Sequence, residues 1–94
     1  MMTLTKTFPL GMLVATPGAL EALQEAGQTP LEFLRLHSSG DWGTVCKEDW
    51  NLNDEALIDG TRLLSAYLTS KGVKIWIITE ADRSATTILL PDEY

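Results

Sequence analysis

The sequence predicts an α+β domain. One four-stranded, mainly antiparallel sheet is expected, in the order β-α-α-α-β-β-β, with two or three short helices on one face. Residues 61–69, 73–80 and 86–91 form three short runs rich in β-branched and aromatic residues, each followed by turn chemistry, so they read as a meander. Ahead of them, Thr16-Pro17 and Thr29-Pro30 are two successive helix starts. The length, 94 residues at 45% apolar composition, suits one modest core and a single domain over 1–94.

Residues 7–15 read as the first strand. Pro9 cannot donate to a ladder, so this strand is expected at a sheet edge or irregular until Met12. Thr16 then caps a helix with Pro17 at its first position, and Gly27 stands where it stops. Ala19, Leu20, Leu23 and Ala26 are its expected apolar stripe. Thr29 and Pro30 repeat the start, and Glu32 is placed to reach back as a capping box. Phe33, Leu34 and His37 share a face at helical spacing, and Ser38-Ser39-Gly40 ends the second helix. Asp41 and Trp42 fall in the next loop, and 45–50 read as an irregular acidic connection. A third helix is expected from a cap at Asn51 or Asn53 through Ile58, with Asp54 and Glu55 in its first turn, where negative charge complements the helix dipole. In the meander, Ser70-Lys71-Gly72 and Asp82-Arg83-Ser84 are the two turns.

Thirteen acidic against seven basic residues give a net charge of −6 and a pI near 4.5. Neutralising a phosphate backbone requires clustered Lys and Arg, and here the bases are scattered from Lys6 to Arg83, so direct duplex DNA binding is disfavoured. Apolar runs of about five residues fall far short of the roughly 20 that span a bilayer. Residues 1–6 do not read as a secretion signal, so no membrane association and a cytoplasmic location are expected. One cysteine and one histidine preclude an internal disulfide and the common zinc sites, and neither a metal nor a cofactor is expected. Cys46 reads as a small buried or half-buried side chain. Glu48, Asp49, Asp54, Glu55 and Asp59, opposed only by Lys47, read either as a solvated helix face or as acidic surface competing for a basic groove on another protein.

Period-two reading of the middle meander strand assigns Val73, Ile75, Ile77 and Thr79 to the helix-covered face, and Lys74, Trp76, Ile78 and Glu80 to the other. A solvated sheet face does not ordinarily carry a tryptophan and an isoleucine at its centre. Either the first strand and the Trp42/Trp50 loop fold over Trp76 and Ile78, or these residues meet a protein partner or a second copy of the chain in a homodimer.

His37 is the only imidazole, so any general acid or base working near neutral pH would be His37. Beside Phe33 and Leu34 it reads first as a structural histidine, with Asp41 placed either to orient its ring or to cap its own turn. Arg62, Arg83, Ser84, Thr86 and Thr87 lie at strand ends or in a turn, and arginine with hydroxyls is what binding a phosphodiester transition state requires. Glu80 and Asp82 are expected to pair with Arg83. Walker loops, dinucleotide fingerprints, serine-nucleophile motifs and metal-spaced carboxylates are absent from the sequence.

Several stretches together, HSSGDWG at 37–43, RLLSAY at 62–67, WIITEADRS at 76–84, TTILLP at 86–91 and the closing Glu93-Tyr94, resemble a family of small uncharacterised bacterial proteins labelled hypothetical or plasmid-related, sometimes with a restriction-modification label. The resemblance runs from about Val14 onward and implies an accessory gene of a mobile element, without an activity. The order of helices before an antiparallel sheet is also similar to the barnase, EndoU, colicin and RelE-like ribonucleases, by fold-level analogy alone. The leading expectation is a non-enzymatic acidic protein-interaction module of a plasmid or other mobile element, an inhibitor of a host defence complex of the anti-restriction or anti-CRISPR type. It would act through the acidic 48–59 segment or the Trp76 face. The alternative is a small metal-independent ribonuclease toxin, with His37 as acid/base and Arg62, Arg83 and Thr86 or Thr87 around the phosphate.

Overall fold

The structure, a computed structural model, describes residues 8–94. Its four strands are β1 (Met12–Ala15), β2 (Leu63–Leu68), β3 (Lys74–Thr79) and β4 (Ala85–Leu89), side by side in the order β1-β4-β3-β2. β2, β3 and β4 form the antiparallel meander, and β1 runs parallel to β4, with Met12 opposite Ala85 and Ala15 opposite Ile88. The fold is therefore α+β with a mixed sheet and β1 at one edge. The chain is irregular ahead of Met12, as Pro9 requires. Thr7, the first residue of the expected strand, lies outside the described residues.

α1 (Pro17–Ala26) and α2 (Pro30–Ser38) begin at the two Thr-Pro pairs. Thr16 Oγ1 accepts from the Ala19 N–H at 3.2 Å, and the Glu32 carboxylate accepts from the Thr29 N–H at 3.3 Å, which is the expected capping box. Ala19 and Leu23 of α1 and Phe33 and Leu34 of α2 pack on Tyr67, Ile75, Ile77 and Ile88, so these two helices cover one sheet face. The buried stripe of α1 is Ala19, Ala22 and Leu23, whereas Leu20, expected in it, is exposed. Leu20 is one position from Ala19, about 100° around the helix, while Ala22 and Leu23 return to the same side.

α3 (Lys47–Asp59) departs most from expectation. It starts with Cys46 at the cap, so 47–50 are helical, and Glu48 and Asp49 occupy the first turn instead of Asp54 and Glu55. Cys46 is exposed, not buried or half-buried. Asn53 is not a cap. Its side-chain amide is buried beside β2, where it donates to the Leu64 carbonyl at 2.6 Å and accepts from the Leu64 N–H at 3.1 Å, as a neighbouring strand would. Asn53→Ala leaves both Leu64 groups without a protein partner and is expected to lower the unfolding free energy by about 2 kcal/mol. Urea denaturation checks this, and an unchanged midpoint at constant slope would mean that water replaces the amide without loss.

The loop after α2 covers the next position of the β2 edge. The Ala66 N–H donates to the Trp42 carbonyl at 3.1 Å, the Thr44 N–H donates to the Ala66 carbonyl at 2.7 Å, and the Tyr67 hydroxyl donates to the Asp41 carbonyl at 2.6 Å. An open edge would be a template for pairing with another chain, and here the outward peptide groups of Leu64 and Ala66 are occupied. This loop also seats Trp42 in a second core with Phe8, Ala56 and Leu63.

On β3, Ile75, Ile77 and Thr79 are fully buried under the helices as expected, while Val73 is exposed. On the opposite face Ile78 is buried and Trp76 half-buried. The expected intramolecular cover for that face, the first strand with the Trp42/Trp50 loop, is elsewhere. Trp42 and Trp50 belong to the second core, where Trp42 meets the rings of Phe8 and His37 at 6.1 and 5.5 Å. In their place a short 3₁₀ turn (Pro91–Glu93) and Tyr94 lie over β3, with the Tyr94 ring edge-on to Trp76 at 5.9 Å.

Candidate functional site

Two regions hold the candidate residues: a buried polar chain around His37, and an exposed surface formed by α3, Arg62 and the Trp76 face. His37 is 0% exposed. Its Nδ1 lies 2.5 Å from Ser65 Oγ on β2, and its Nε2 lies 2.8 Å from Thr79 Oγ1 on β3. Thr79 Oγ1 is 2.8 Å from Thr86 Oγ1 on β4, and the Thr86 hydroxyl donates to the Leu10 carbonyl at 2.7 Å.

The end of this chain sets the direction of all of it. A carbonyl only accepts, so Thr86 must give its proton to Leu10. Thr79 must then donate to Thr86, and Nε2–H must donate to Thr79. Neutral His37 is thereby the Nε2–H tautomer, and its Nδ1 accepts from the Ser65 hydroxyl. No buried side-chain nitrogen or oxygen among the described residues lacks a partner. Burial, reinforced by the nearby Arg83 charge, holds the His37 pKa down at about 4. A serine hydroxyl on a histidine nitrogen is the contact that activates a nucleophile, yet Ser65 and His37 are both fully buried and no substrate atom reaches them.

The other residues of the nuclease alternative are not gathered around His37. Thr86 reaches it only through Thr79, and Thr87 pairs with Ile78 on the opposite sheet face. Arg83, in the turn before β4, donates to the carbonyls of Thr61 at 2.6 Å, Ala56 at 3.0 Å and Glu80 at 3.2 Å, and stacks over Phe8 at 5.7 Å. Its expected pairing with the Glu80 and Asp82 carboxylates is not formed. The guanidinium turns instead to the negative end of α3, where the Ala56 carbonyl accepts from it as well as from the Gly60 N–H, and Asp82 accepts from the Ser84 N–H at 3.0 Å. Asp41 likewise caps its own turn, accepting from the Gly43 N–H at 3.1 Å, and the His37 ring takes its orientation from Ser65 and Thr79. Arg62 stands apart at the start of β2, donating to the Tyr94 hydroxyl at 2.6 Å.

The acidic residues do share one surface. Trp42 Nε1 donates to the Asp54 carboxylate at 3.0 Å, which ties α3 to the second core. Among the described residues, the side chains of Glu48, Asp49, Glu55 and Asp59 have no bonding partner. Glu48, Leu52, Glu55 and Asp59 follow one another at helical spacing, and Leu52 is 60% and neighbouring Ile58 87% exposed. Asp49, Leu52 and Asn53 of α3 also form one wall of an open groove of about 250 Å³, whose other wall is Arg62 and Leu64.

Sequence reasoning missed Ser65, Thr79 as a ligand of His37, and Asn53 as a strand surrogate. The signal for the first two was the parity of their strands, which puts both hydroxyls on the helix-covered face. Asn53 left no such signal, because a polar residue on an inward helix face is indistinguishable in sequence from a cap. Among the described residues no group of three or more His, Cys, Asp or Glu side chains is placed to hold a metal ion, and no helix is long and apolar enough to cross a membrane. No family model, no curated protein and no solved structure matches the chain.

Proposed function

We propose that the chain is a non-enzymatic, cytoplasmic protein-interaction module of a plasmid or other mobile element, which inhibits a host defence complex by docking the outer face of α3 in a basic groove. The observation that supports this is the pairing of four carboxylates that have no bonding partner among the described residues, Glu48, Asp49, Glu55 and Asp59, with two strongly exposed aliphatic side chains, Leu52 and Ile58, on one helix.

The stripe from residue 48 to 59 rises about 17 Å along the helix axis. The same length of duplex DNA carries about ten phosphate charges. The helix thus does not reproduce a nucleic acid charge for charge. It fits a groove that presents a few Lys or Arg residues around an apolar patch, with the negative field raising the association rate. The ribonuclease alternative lacks comparable support, because its only imidazole is sealed and its arginines are engaged with carbonyls and Tyr94.

The test is binding of the wild type and of a variant carrying Glu48→Lys, Asp49→Lys, Glu55→Lys and Asp59→Lys to purified host defence complexes. The expected result is a salt-sensitive complex, with inhibition, that the reversed helix weakens by about a hundredfold or more. Equal binding by both proteins sinks the α3 assignment. Growth arrest with RNA breakdown on expression of the wild type, absent for His37→Ala, would instead support the nuclease.

A further inference from the structure

We propose that residues 91–94 are a self-docked strap occupying a recognition site on the Trp76 face, and that a partner reaches this face by displacing the strap with an acidic-aromatic segment of its own. This rests on the Trp76 face being a contact surface, and is independent of the α3 stripe.

The strap is held at two points. At the first, Glu93 Oε1 accepts from the Thr16 hydroxyl at 2.5 Å and from the Leu90 N–H at 2.9 Å, while Oε2 accepts from the Gly18 N–H at 3.2 Å. The carboxylate therefore sits at the start of α1, a helix with no acid in its own first turn. The Thr16 hydroxyl, with the two backbone donors, holds the Glu93 pKa below the usual carboxylate range. A Cβ at residue 18 would stand 2.5 Å from the carboxylate, so the glycine there leaves room for it. At the second point, the Tyr94 ring lies edge-on to Trp76 at 5.9 Å, and its hydroxyl accepts from Arg62 at 2.6 Å.

Both anchors are exposed to water, and Tyr94 is 67% exposed. Contacts of this kind exchange readily with solvent, so the strap can leave without disturbing the buried core. What it occupies is a composite site of two donor groups and one ring: the start of α1, the Arg62 guanidinium and Trp76. The chemistry that fits is a carboxylate followed directly by a phenol or another aromatic ring.

The test uses the full chain and the synthetic peptide Leu-Pro-Asp-Glu-Tyr, followed through the Trp76 indole N–H and the Gly18 amide by NMR. In Tyr94→Ala both signals are expected to move away from their wild-type positions, and added peptide should return them saturably. The wild type should bind the same peptide about tenfold more weakly or worse, because its tethered strap competes at a high effective concentration. Peptides with Gln in place of Glu, or Ala in place of Tyr, should lose about tenfold in affinity for the variant. Glu93→Gln, acting at the other anchor, should open the site to the peptide as well. An unmoved Trp76 signal in Tyr94→Ala, no saturable response, or equal affinity in wild type and variant would each overturn the proposal. Peptide shifts mapping to α3 would do the same. None of these outcomes depends on the α3 carboxylates, so the strap and the α3 assignment fail separately.

Discussion

Gly43→Ala is expected to destabilise the protein by about 3–5 kcal/mol, combining overpacking with the penalty for an L-residue in the left-handed region. Gly43 has φ +76° and bridges Ala66 on β2, and an added Cβ would stand 1.9 Å from the Ala66 carbonyl and 2.6 Å from the Tyr67 ring. Neither neighbour can give way, because the Ala66 carbonyl is held by Thr44 and the Tyr67 hydroxyl by the Asp41 carbonyl. Gly60 supplies the control. It has the same φ, +76°, but nothing lies within 4 Å of its added Cβ, so Gly60→Ala should cost only about 1 kcal/mol. Denaturant titration of both variants checks the pair. Comparable losses would mean that loop 41–44 is not packed against the β2 edge.

Acidification is expected to remove about 3 kcal/mol of stability between pH 6.5 and pH 4, through His37 alone. Its pKa falls from 6.5 in the unfolded chain to about 4 in the folded one. The unfolded state therefore binds the proton more readily. The neutral form's contribution is fully present above pH 6.5 and is lost as pH falls toward the folded pKa. Structurally, a proton on Nδ1 meets the Ser65 hydroxyl hydrogen, and the charge is created where burial and Arg83 both oppose it. Asp82 and Glu93 also lose stabilising contacts in acid. Their pKa values are lowered from the ordinary 3.8 and 4.5, so their contribution is lost only as pH falls toward and below those values, under most of the His37 window. Unfolding free energies measured from pH 7 to 4 should slope steeply in the wild type. His37→Gln, less stable throughout, should be nearly flat between pH 6.5 and 4.5. Parallel profiles would show that His37 is not the group titrating.

Local chemistry made much of the architecture legible. The Thr-Pro starts with the Glu32 capping box, the two meander turns and the alternation of Ile75, Ile77 and Thr79 act over a few residues, and each appears where its residues predict. The acidic segment was legible as composition, and α3 does present it outward. The start of α3 was not legible, because Asn53 mimics a cap when read locally and becomes a strand surrogate only beside Leu64. The cover of Trp76 was misassigned for a similar reason. Trp42 and Trp50 were available to cover it, but Phe8 and the His37 ring draw Trp42 to the other side of the sheet.

The sequence by itself determined the element types and most of their ends, because caps, turn residues and period-two alternation are decided within about one turn or one strand of chain. It also determined that His37 would face the interior. Only the tertiary structure decided what His37 is for. The residues that orient it, Ser65, Thr79 and Thr86, come from three different strands, and the hydrogen-bond direction depends on the Leu10 carbonyl at the far end. The same holds for Glu93 at the start of α1 and for Asn53 at the β2 edge. Such long-range hydrogen bonds leave no periodicity in sequence, since each partner obeys its own local rule and only packing brings the two together.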